Sequence, residues 1–104
     1  MANPPIQLYT PGEVARLLAG RIRAERLRQG WKQETLARRS GVSLPTIRRY
    51  ERTGHTSVEN VLRLCGALGR LAELADVLQP PPASSIAELE SRVTHFQDRK
   101  RGVR

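Results

Sequence analysis

Apolar residues in the first three quarters of the chain recur at intervals of three and four, a pattern that predicts five helices separated by short polar breaks. Val14, Leu17, Leu18 and Ile22 mark the first helix, which opens at Thr10-Pro11 and runs to Gly30. Thr10 serves as N-cap, Pro11 takes the first helical position, and Glu13 falls in the first turn. A second, shorter helix covers about Gln33 to Ser40 and buries Leu36 and Ala37. Gly41-Val42-Ser43 forms a tight turn, with Gly41 where a left-handed backbone is needed. Ser43 caps a third helix that ends at Glu51 or Arg52 and turns Ile47 and Tyr50 inward. Pro45 lies early enough in it to be tolerated. After a loop at Thr53-Gly54-His55, Thr56 and Glu59 read as a capping box for a fourth helix ending near Gly69. Its apolar face is Val58, Val61, Leu62, Leu64 and Leu68. Leu71, Leu74, Val77 and Leu78 make a fifth helix, stopped by Pro80-Pro81-Pro82.

These breaks divide the chain into three parts. Residues 1–9 carry Pro4 and Pro5 without any period and read as a flexible arm. Residues 10–79 hold the five helices. Residues 80–104 comprise a stiff proline linker, a short helix and a basic tail. Ser85 with Glu88 is a second capping box, followed by Ile86, Leu89, Val93 and Phe96 at 3-4-3 spacing. That stripe can pack on its own domain, pair with a second subunit, or dock on a partner; the linker favours a partner or dimer role.

Composition narrows the chemistry. The 104 residues suffice for one small domain but not for a large substrate cleft. With 4% aromatic residues the core is aliphatic, which argues against a long β-sandwich or barrel. The net charge is +8, and 16 of the 18 basic residues are Arg. Arg presents a planar fork of donors suited to phosphates and guanine edges, although an Arg-rich proteome would give the same count. The excess is uneven: residues 1–56 carry +7, 57–83 carry −1 and 84–104 carry +2. A charge footprint confined to one part of a small domain reads as a binding face for nucleic acid.

The single cysteine, Cys65, excludes an intramolecular disulfide and a multi-cysteine zinc site, and its apolar neighbours make it an inert buried thiol. His55 and His95 lack partners at metal-ligand spacing. No Ser-His-Asp set, carboxylate pair or glycine-rich phosphate loop is visible, so the reading is a non-enzyme without cofactors. No apolar run approaches the roughly 20 residues of a membrane helix, and the chain is expected to be soluble and cytoplasmic.

Between Gln33 and Tyr50 the order is helix, three-residue turn, helix, the arrangement whose second helix fits the major groove of DNA. Ile22-Arg23, Arg26, Gly30, Gln33-Glu34, Leu36-Ala37, Gly41-Val42-Ser43, Ile47, Glu51, Gly54 and Ala67-Leu68-Gly69 fall in register over residues 21–68. On these residues the chain resembles the Cro and lambda-repressor, or XRE, family of helix-turn-helix regulators. The resemblance implies an all-α, five-helix lambda-repressor-like DNA-binding domain over 10–79, followed by a C-terminal helix or basic arm. It also implies a homodimeric repressor of a near-palindromic double-stranded operator.

The resemblance assigns further roles. Gln33 contacts a phosphate and braces the reading helix. Ser43, Leu44, Thr46, Arg48 and Arg49 form the leading end and outward face of that helix, with Arg49 the foremost candidate for a base contact. Leu44 and Thr46 suit a thymine methyl. Phosphate contacts fall to Lys32, Arg38, Arg39 and Arg52. Arg26 and Glu51 form a structural ion pair between the first and third helices, and Trp31 takes an aliphatic core position. Arg21, Arg23 and Arg28 face solvent. Two departures stand out: Lys32 replaces the usual hydroxyl cap, and Leu44-Pro45 replaces a more polar pair. The run Gly41 to Gly54, the leucine-rich fifth helix, Ser84 to Leu89 and the Arg-rich end are also similar to the HipB-like antitoxin branch. That branch implies autoregulation and neutralisation of a HipA-type kinase toxin; a stand-alone regulator is the alternative. Leu71, Leu74, Leu78, Ile86, Leu89, Val93 and Phe96 are the expected dimer or partner contacts.

Overall fold

The computed structural model describes residues 9–82 together with Glu90. Five helices follow in order: α1 (Pro11–Arg28), α2 (Gln33–Ser40), α3 (Leu44–Thr53), α4 (Val58–Ala67) and α5 (Leu71–Ala75). No strand occurs among the described residues. The expected 1–8 part of the arm and the stripe Ile86, Leu89, Val93 and Phe96 lie outside them.

The local signals act where the sequence places them. Thr10 Oγ1 accepts from the Glu13 amide at 3.1 Å, and Glu13 Oε1 accepts from the Thr10 amide at 3.0 Å, closing a capping box over Pro11. These bonds to the charged form hold the Glu13 carboxyl below its usual range. α1 stops at Arg28, and Gly30, at φ 77°, turns the chain toward α2. Gly41, at φ 76°, ends α2 by donating to the Ala37 carbonyl at 3.0 Å. This is the left-handed cap that a side chain would strain.

The core is small and mainly aliphatic, as the composition requires: Ala19 and Ile22 of α1, Leu36 of α2, Val42, Ile47 and Tyr50 around α3, Leu64 and Cys65 of α4, and Leu68 just beyond it. Leu18, Trp31, Ala37, Val61, Ala67 and Leu74 pack against it, half-buried. α2 packs on both α3 and α4, and α1 packs on α3.

Three expectations need correction. The cap of α4 is Ser57, whose side chain accepts from the Asn60 amide at 3.1 Å, not Thr56. Thr56 Oγ1 instead accepts from Asn60 Nδ2, and Glu59 pairs with Arg63 at 2.9 Å. The fifth helix is only Leu71–Ala75, with no buried residue; Val77 and Leu78 lie beyond it and are exposed. Finally, Val58 and Leu62 of α4, and Val14 and Leu17 of α1, are exposed rather than core, because no described element covers those faces.

Candidate nucleic-acid interface

The α2–turn–α3 unit is assembled from its caps inward. Val42 follows the Gly41 turn with its amide bonded to Ser40 Oγ at 3.1 Å and its side chain buried. Ser43 then caps α3, accepting from the Thr46 amide at 3.4 Å, and its hydroxyl meets Thr46 Oγ1 at 2.7 Å. Ile47 and Tyr50 pin one side of α3 to the core. The opposite side carries Pro45, Arg48, Arg49 and Arg52, all exposed; Arg48 and Arg49 lie three and four residues after Pro45 and four and three before Arg52, so the set shares one face. Leu44 and Thr46 flank it, half-buried.

Three groups hold α3 at a fixed angle. Arg26 of α1 donates from Nε to Glu51 Oε2 at 2.8 Å and from Nη2 to Glu51 Oε1 at 2.9 Å. Both side chains are buried, 7% and 5% exposed, so the pair is a fully desolvated fork-to-fork contact. Arg26 Nη1 reaches the Trp31 carbonyl at 2.7 Å, tying the α1–α2 corner into the same cluster. Gln33 Nε2 donates to Glu51 Oε1 at 3.0 Å, which fixes the first residue of α2 against α3. The structure thus brings Arg26, Glu51 and Gln33 together in one hydrogen-bonded cluster. The second N–H of the Gln33 amide remains for another acceptor.

Cations surround this unit. Lys32 is exposed at the N-cap of α2 and makes no side-chain capping bond. Arg38 is exposed on α2, and Arg39 lies over the Trp31 ring, 4.6 Å from its centroid. Trp31 is half-buried against the core, as its position implies, but its outer face carries this cation. An exposed ridge flanked by positive charge, about the 10–12 Å diameter of a helix, matches a major groove about 12 Å wide.

The helix-turn-helix family model (HTH_3) matches residues 22–79. The chain belongs to the XRE-type helix-turn-helix family. Comparison with curated proteins and with solved structures gives no match. Membership in this family makes the chain a DNA-binding transcriptional regulator.

Two features of this helix-turn-helix domain were not read from the sequence. Arg63 of α4 is half-exposed and stands beside the turn; a Cβ on Gly41 would lie 3.8 Å from its Nη1. It therefore adds a cation next to α2, although its stretch of chain is net acidic. The second is a polar knot at the far end of α1. Glu25, buried, accepts from Arg28, from Gln29 Nε2 at 2.8 Å and from Arg70 Nη1 at 2.8 Å. Gln29 also donates to the Leu68 carbonyl at 2.8 Å, and Arg70 pairs with Glu73. The bonds from Arg28 and Gln29 lower the Glu25 carboxyl to about 2. Arg28 and Gln29 stand three and four residues from Glu25, a readable spacing, but Arg70 is 45 residues away and only the fold brings it there. Among the described residues no cluster of His, Cys, Asp and Glu could hold a metal, and no helix is long and apolar enough to cross a membrane.

Proposed function

We propose that the protein is a sequence-specific repressor that binds a near-palindromic operator as a homodimer. The observation that carries this reading is the exposed Pro45, Arg48, Arg49 and Arg52 face of α3, held rigid on its other side by Ile47, Tyr50 and the Arg26–Glu51–Gln33 cluster. Arg49 reads a guanine edge, Leu44 and Thr46 meet a thymine methyl, and Ser43 and Arg48 complete the leading face. Gln33, Lys32, Arg38, Arg39 and Arg52 hold phosphates; the uncapped N-terminus of α2 favours an anion there. One such helix contacts too few base pairs for useful specificity, so a two-fold pair with centres about 34 Å apart is required. Exposed Leu71 and Leu78 offer the apolar surface for that pairing.

The test is fluorescence-anisotropy binding to DNA from the gene's own upstream region and to a shuffled control, near physiological salt. A preference of about a thousandfold for the native DNA is expected, with Arg49→Ala losing roughly 1–3 kcal/mol of it. Equal affinity for both DNAs, unchanged by Arg49→Ala, would sink operator recognition and leave a basic scaffold.

A second reading concerns the chain beyond Pro82. We infer a HipB-like antitoxin in which the basic end, Arg99 to Arg104, reaches a HipA-type kinase. Adding the full chain to such a kinase is expected to suppress its autophosphorylation; no effect at stoichiometric excess would leave a stand-alone regulator.

A further inference from the structure

The described fold leaves one apolar groove without an occupant. It encloses about 290 Å³ between Leu18 and Ile22 of α1, Cys65 and Leu68 at the end of α4, and Leu74 and Val77 at α5. Val14 and Leu17 extend the same side of α1 by a turn and are exposed. The groove's polar rim is unbalanced. Glu25, Arg70 and Glu73 are consumed by one another, whereas Arg21 makes no hydrogen bond or ion pair with any described residue.

We propose that this groove is the seat of the chain's own segment 85–96, bound in cis through Ile86, Leu89, Val93 and Phe96. Three observations select this occupant. The segment's apolar stripe recurs at helical spacing, and its length, about 16 Å as a helix, matches the stretch of α1 from Val14 to Glu25. The connection is short: Val77 is a wall of the groove, and eight residues, Leu78 to Ser85, join it to the stripe. Glu88, beside the stripe, supplies the carboxylate that Arg21 lacks.

Cys65 allows a direct test, because it is the chain's single cysteine and lines the groove. Full-length Ile86→Cys, Leu89→Cys and Val93→Cys variants are oxidised separately at low protein concentration. At least one is expected to give a disulfide within one chain, seen as monomer mass with both thiols lost. A covalent dimer would assign the groove to a second copy and overturn the proposal; free thiols in all three would overturn it as well. Alkylation of Cys65 in full-length Ile86→Asp/Leu89→Asp provides an independent readout. Opening the groove is expected to raise the rate roughly tenfold while α-helical content is kept. An unchanged rate, or protection that grows with protein concentration, overturns cis seating. DNA binding is not required for either readout, so operator recognition can fail without affecting this result.

Discussion

Gly54 closes α3 directly against the backbone of Arg16 in α1. A Cβ at Gly54 would stand 3.1 Å from the Arg16 amide nitrogen and 3.2 Å from the Ala15 carbonyl carbon. Gly54 also holds φ 81°. The contact sets how closely the end of α3 approaches α1, because the atoms that meet belong to two backbones rather than to flexible side chains.

Gly54→Ala therefore carries both left-handed strain and a backbone clash. Gly41→Ala, at φ 76°, meets only the far end of Arg63 at 3.8 Å and carries the strain alone. Strain at such a position costs about 1–3 kcal/mol, and the Gly54 variant is expected to lose more than that range. Urea midpoints of the two variants measure the difference, and equal midpoints would contradict the clash.

Glu51→Gln leaves the Arg26 guanidinium buried with one charge partner gone. A loss of about 3–5 kcal/mol is expected, because an uncompensated buried charge costs more than the pair contributes. Arg26→Met/Glu51→Leu is expected to recover most of that stability while DNA binding stays weak, since Gln33 then has no carboxylate to brace it. Thermal melting and anisotropy on the same samples separate the two effects.

The Tyr50 hydroxyl is buried and has no hydrogen-bond partner among the described residues. Burial pushes its ionisation up to about 12. Tyr50→Phe removes an unsatisfied polar atom while keeping the ring, so stability is expected to hold or rise by up to about 1 kcal/mol. A clear loss in the urea midpoint would show that the hydroxyl has a partner.

Glu25 makes stability fall in acid. Its carboxyl is lowered from 4.5 to about 2 in the fold, so between those values the unfolded chain binds more protons than the native one. The contribution is complete above about pH 4.5 and is lost as pH falls toward 2. Glu73, lowered by Arg70, acts in the same direction. Melting temperatures across this window are expected to drop for the wild type and to drop less for Glu25→Gln.

The sequence exposed the parts of this architecture that rest on neighbours three or four residues apart. Thr10 with Glu13, Gly41, Ser43, and the inward pair Ile47 and Tyr50 all sit as their spacing requires. The α4 cap slipped by one residue because Thr56 and Ser57 offer successive hydroxyls, and Glu59 found Arg63 before it could close a box. Apolar spacing also overstated the core: Val58, Leu62 and Val14 keep the period but face no described element. Long-range chemistry was legible only through the family pattern. Arg26 and Glu51 are separated by 25 residues, and no local period connects them. The Arg70 bond to Glu25 had neither a period nor a pattern to announce it.

The stacking of Arg39 on Trp31 has an optical consequence. Trp31 is the single tryptophan, so the tryptophan emission reports one corner of the molecule. That corner adjoins Lys32 and Gln33 and lies beneath a cation that a phosphate would draw away. The protein carries its own unlabelled fluorophore at the edge of the proposed nucleic-acid interface, and an emission shift on adding DNA would time the arrival of the phosphate backbone there.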